Sequence, residues 1–140
     1  MRVERAARVA VVPMALFAIL YYSIVPFPTD LLAGVWFVDA VGPSRSLHLL
    51  AYGGLTGLVL LAIRSPDRSA VFLAVGVSVS FGAGMELVQL TLPHRTFSLT
   101  DIAVNAAAAL FAGWCWYAAA RLRTRYSSQG SRMSRTSSPR

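Results

Sequence analysis

Lysine is absent, cysteine occurs once, and only six of the 140 residues are acidic. Charged residues make up 14% of the chain, against about 25% in soluble domains. So few charges leave too little material for a water-facing surface. The lone Cys115 excludes a disulfide framework and a Cys-based metal site, and reads as a small packing residue. No Gly-x-Ser-x-Gly elbow is present, Ser98 has no marked base beside it, and there is no acyl-CoA or phosphate loop. Nothing in the sequence therefore supplies an obvious nucleophile.

What is abundant is apolar. Hydrophobic residues reach 56%, and they fall in four long blocks instead of at helical or strand spacing. Span one is expected from about Val9 to Phe27, span two from Ser46 to Ile63, span three from Ser69 to Leu92, and span four from Thr100 to Ala120. Each approaches the ~20 residues that a helix needs to cross a ~30 Å hydrocarbon core. The fold expected is all-α, an integral membrane four-helix bundle. The basic start and first apolar block resemble a signal peptide, but the block is long for one and no small-x-small site follows it. It reads as a retained anchor. Tyr21, Tyr22, Phe27 and Trp36 fit an interfacial aromatic belt, and Val35–Val38 a short interfacial helix.

The net charge of +7 is carried by thirteen arginines, and their placement gives it meaning. Arg2, Arg5 and Arg8 precede the first block, Arg64 and Arg68 separate the second from the third, and six follow the fourth. Only Arg45 and Arg95 lie in the other two connections. That alternation follows the positive-inside rule and places both termini in the cytoplasm. Nucleic-acid binding falls well behind. Residues 121–140, rich in Arg and Ser, are expected to be a disordered cytoplasmic tail, its first arginines lying against anionic headgroups. Residues 1–8 form a short cytoplasmic start.

Within this frame the hydrophilic side chains of the spans gather at the outer side. Glu86 lies about 10 Å below the end of span three if that helix runs to Pro93, and an intramembrane carboxylate is a functional candidate by default. Gln89 shares its face at i+3, and Ser78 and Gly82 extend that face inward. Gly76, Ser80 and Gly84 form a second face that permits close helix packing. His48 and Tyr52 stand near the start of span two. Asp101 and Asn105 open span four behind Thr100 as the expected N-cap. Arg95 sits in the joining loop. The inner half has only apolar or small stripes. One polar pocket open to the outer face is the expectation, lined by His48, Tyr52, Glu86, Gln89, Arg95, Asp101 and Asn105. Each residue also has a plain reading: Glu86 and Arg95 as a clamping ion pair, Asp101 as a partner of the helix dipole, Asn105 as an interhelical hydrogen-bonder. His48, His94 and Glu86 are of zinc-ligand type, but no close-spaced pair supports a site. No metal or cofactor is assigned.

Arg45-Ser-Leu-His48-Leu-Leu-Ala-Tyr52, Gly82-Ala-Gly-Met-Glu86-Leu-Val-Gln89, Pro93-His-Arg95 and Asp101-Ile-Ala-Val-Asn105 together resemble the VanZ-like family of teicoplanin-resistance-associated membrane proteins. The likeness covers about residues 13–118 and makes 9–120 one VanZ-like domain. Ser44 stands where the family often has an acidic residue, and Ala108 where it favours glycine; the second departure bears on helix packing beside Asn105. The resemblance implies a multi-pass protein of a bacterial plasma membrane and a link to teicoplanin resistance, with no established mechanism. Two functions stay open. One is an outward pocket binding a lipid headgroup, envelope precursor or glycopeptide, with Arg45 and Arg95 meeting an anion. The other is a membrane enzyme using Glu86 and His48 as an acid–base pair on such a lipid-linked group. A transporter subunit is weaker, since four spans show no inverted repeat. Ligand identity and oligomeric state do not follow from the residues.

Overall fold

A computed structural model describes the backbone of residues 2–25, 28–65, 67–93 and 97–136, and the side chains between 6 and 124 within those ranges. It is all-helical: α1 (Arg2–Ile24), a 3-10 turn (Thr29–Leu32), α2 (Trp36–Val41), α3 (Pro43–Ile63), α4 (Arg68–Gln89) and α5 (Leu99–Thr136). Four segments are long and apolar enough to cross a membrane: Ala6–Ile24, Pro43–Ile63, Arg68–Gln89 and Leu99–Thr124. At 1.5 Å per residue the shortest still spans about 28 Å. Their outward faces are apolar as well. Met14, Phe17, Phe72, Leu87, Phe111 and Trp114 are all more than 60% exposed, a surface that water would penalise and hydrocarbon would not.

α3 is the central helix. It packs on α5, α4 and α1, and the core of Tyr52, Leu55, Val59, Leu60, Ala70 and Ala74 lies along its contact with α4. α1 leans on this core through Val12, Ala15, Leu16 and Ile19. The buried face of α4 steps through Ala70, Ala74, Ser78, Gly82 and Glu86, the four-residue spacing that keeps side chains on one helix side. The other small face behaves differently. A methyl group placed on Gly76 or Gly84 would meet nothing within 4 Å, so among the described residues the close packing that face permits is not used. Close approach occurs instead at Gly82 and Gly113, where an added β-carbon would meet neighbours at 3.0 Å; one on Gly53 would make ordinary contact with the Ala108 carbonyl at 3.6 Å.

Turns explain where the helices stop. α3 ends at Arg64, which takes a left-handed φ of 59° and donates its N–H to Leu60 O. Trp116 Nε1 donates to Ser65 O at 3.4 Å, tying α5 to this hairpin. α4 ends at Gln89, three residues short of the expected Leu92. Thr91 Oγ1 bonds Val88 O at 2.7 Å there, and the residue before Pro93 is barred from helical geometry. Glu86 consequently sits in the last turn of α4, about 4.5 Å from its end by helical rise, shallower than expected.

Ser98, not Thr100, caps α5: its Oγ accepts the Asp101 N–H at 3.1 Å. Ser98→Ala is therefore expected to cost about 0.5–2 kcal/mol, whereas Thr100→Ala at an exposed position should be nearly silent. Equilibrium unfolding in mixed detergent micelles distinguishes the two. At the other end α5 continues to Thr136, so the helix overruns the stretch from Arg121 expected to be disordered. Elongating an existing helix needs no new nucleus, and Arg is a good helix former. The last four residues of that stretch lie outside those described.

Candidate functional site

The end of the bundle formed by the start of α3, the close of α4 and the start of α5 collects the hydrophilic side chains. His48, from the second turn of α3, makes a 2.9 Å hydrogen bond between Nδ1 and Asn105 Oδ1 of α5. With the amide oxygen as acceptor, Nδ1 is the donor of this bond and Nε2 is left for another partner. That Nε2 lies 3.9 Å from Asp101 Oδ2. Donor atoms of His48, Glu86 and Asp101 all fall within 4.8 Å of one another, although 53 residues of sequence separate the first from the last. Tyr52, one turn beyond His48, stacks under its ring at 6.0 Å between centroids and 17° between planes.

Exposure is graded across the group. Glu86 is 1% exposed, whereas the His48 and Asp101 side chains are 16% and 23% exposed, so the group opens at the end of the bundle beside Asp101. Glu86 Oε2 accepts the backbone N–H of Ser98 at 3.1 Å. In a capping box the residue at the third helical position returns a bond to the cap amide. Here that position is Asp101, whose carboxylate faces His48, and Glu86 of the neighbouring helix takes the amide in its place. This linkage ties the start of α5 to the last turn of α4 and leaves the Asp101 carboxylate to face His48.

Among the expected site residues, His48, Tyr52, Glu86, Asp101 and Asn105 come together. Gln89 does not join them: buried, it donates from Nε2 to Ser23 O of α1 at 3.4 Å, fastening α1 to the bundle. Arg95 and His94 lie outside the described residues, as does Phe27 of the expected aromatic belt. Arg45 is exposed. The described part of the group is thus acidic. Among the described residues, Ser46 Oγ and Asn105 Nδ2 are buried without a hydrogen-bond partner, two donors available near the same end. Ser46 escaped sequence reasoning because a serine in the first turn of an apolar helix looks like an ordinary start signal.

One polar pair lies deeper than expected. Thr56 Oγ1 is bonded to Ser78 Oγ at 2.8 Å and to Tyr52 O at 2.9 Å, all buried. It is internally satisfied and holds α3 to α4. At the far end of the bundle, a groove of about 370 Å³ is bordered by Asp67, Arg68, Tyr117, Ala120, Arg121 and Thr124. Both guanidiniums donate to Tyr117 Oη, Arg68 Nε at 3.1 Å and Arg121 Nη2 at 2.6 Å.

No protein-family model, curated protein or solved structure matches the chain. The likeness to VanZ-like proteins stands on its motif residues alone. The chemistry of the site is therefore argued from its geometry: an imidazole held at Nδ1 by Asn105, two carboxylates within reach, and buried donors without partners near the same end.

Proposed function

We propose that this chain is a multi-pass plasma-membrane protein whose polar site, at the outer side, holds the hydrophilic head of an amphiphile. The candidate ligands are a lipid headgroup, an envelope precursor or a lipid-bearing glycopeptide. One observation carries the reading: His48, Glu86 and Asp101 converge from three helices with their donor atoms within 4.8 Å, at one end of an otherwise apolar bundle. Such a group is costly at a membrane-embedded position unless it serves a purpose. Its open side faces the lipid–water boundary, where headgroups reside. The arginine asymmetry supports cytoplasmic termini and hence an outward-facing site. The VanZ-like resemblance adds teicoplanin as a probe. Because the described residues are acidic, the part of the ligand entering first is a hydrogen-bond donor or a cation.

A membrane enzyme is the second reading, with Glu86 and His48 as its acid–base pair; the observation that favours it is that their donor atoms lie within 4.8 Å of each other.

The test is mass spectrometry of lipid co-purifying with the full-length protein in mild detergent. A headgroup class enriched over bulk membrane lipid, and lost in Asp101→Asn with unchanged helicity, is the expected result. A profile equal to bulk lipid in both proteins overturns the binding reading.

A further inference from the structure

The same three residues have the composition and arrangement of a metal centre, and we infer that His48, Glu86 and Asp101 bind one divalent transition-metal ion in the Mn²⁺ to Zn²⁺ range. An imidazole nitrogen with two carboxylates suits those ions better than Ca²⁺ or Mg²⁺, which favour all-oxygen shells. Two carboxylates this close repel one another, and a doubly charged cation between them converts the repulsion into attraction.

Supporting contacts are already in place. Ligating histidines typically donate their other ring N–H to a fixed acceptor, which sets the tautomer, and Asn105 Oδ1 fills that role for His48 at 2.9 Å. Ligating carboxylates are in turn hydrogen-bonded, and the Ser98 N–H holds Glu86 Oε2 at 3.1 Å. Donor spacings of up to 4.8 Å put a central ion roughly 2.8 Å from each donor, against about 2.0–2.2 Å in a formed site. The inward adjustment falls to His48 and Asp101, the two partly exposed members. Glu86, buried and tethered, is the fixed point.

Three protein ligands leave coordination positions open on the Asp101 side, the pattern of sites that take water or substrate oxygen. There the ion turns an acidic group into an acceptor for a phosphate or carboxylate oxygen. This last step rests on the headgroup reading above; the ion site itself does not.

Tag-free full-length protein in detergent, stripped with chelator and then dialysed against Zn²⁺ or Mn²⁺, should retain one ion per chain by elemental mass spectrometry. Affinity should fall at least about 10-fold in His48→Ala and in Asp101→Asn, and about 10–100-fold in Asn105→Ala, which removes only the supporting acceptor. Asp39→Asn, exposed on α2, should bind as wild type. Wild-type protein of native helicity that retains no stoichiometric ion overturns the inference, whatever the variants do. So does binding that survives His48→Ala and Asp101→Asn combined. The outcomes separate from those of the lipid experiment. Selective lipid without metal sinks the ion site alone, and a stoichiometric ion beside bulk-like lipid sinks the headgroup reading alone.

Discussion

Glu86→Leu is expected to abolish ligand and metal retention and to destabilise the bundle, whereas Glu86→Gln should keep the fold and separate the two functional readings. The carboxylate does two jobs at one place. It accepts the Ser98 N–H and faces His48 and Asp101. Leucine removes the acceptor and leaves a partly buried amide unpaired, which costs about 1–3 kcal/mol. Against this, leucine relieves the cost of burying a carboxylate. The lost bond belongs to the cap residue of α5, so the local damage extends to the start of that helix, and the first effect should prevail. Glutamine keeps an amide oxygen for Ser98 and nearly the same shape, but gives up the charge and the ability to exchange a proton. Unfolding midpoints in detergent should therefore rank wild type and Glu86→Gln together above Glu86→Leu. In cells, a binding role tolerates glutamine better than leucine under teicoplanin challenge; an enzymatic role fails equally with both. If Glu86→Leu at normal membrane levels matches wild type in stability and in challenge, the site has no function.

Helix number and position were legible because an uncharged run such as that between Arg8 and Asp30 permits few alternatives to a span. Ends were less so, because they are decided by local bonds. The apolar block predicts Leu92 as the end of span three, yet Leu90–Leu92 leave the helix in a turn. Thr100 and Ser98 are equally good caps on paper, and the structure selects the latter, whose Oγ accepts the Asp101 N–H while Glu86 takes its amide. Matching depths placed His48, Glu86 and Asp101 in one layer, but depth leaves the rotation of each helix undetermined. Rotation separates Gln89, turned to Ser23 of α1, from Glu86, turned to α5. It also separates Gly82, packed, from Gly76 and Gly84, open. Thr56 passed as one more small residue because its partner, Ser78, lies on another helix.

That difference among glycines yields the second large effect. Gly82→Val should collapse the site, while Gly76→Val and Gly84→Val in the same helix should leave it intact. A β-carbon on Gly82 would stand 3.0 Å from both Asn105 Nδ2 and Tyr52 Cε1. Neither neighbour yields easily, since Asn105 is held by His48 and Tyr52 is 2% exposed in the core. Valine adds two further methyl groups to that contact, and overpacking of this kind costs about 1–3 kcal/mol. The Asn105 amide is displaced first, which releases the His48 ring and with it the geometry facing Asp101. All three substitutions carry the same change in helix propensity, so the two open positions cancel that contribution and leave packing as the difference. Unfolding midpoints and metal stoichiometry should fall together for Gly82→Val alone. Equal losses at all three positions would mean that the outer face of α4 is packed as tightly as its inner one, contrary to the separation of α4 into a buried face and an open face.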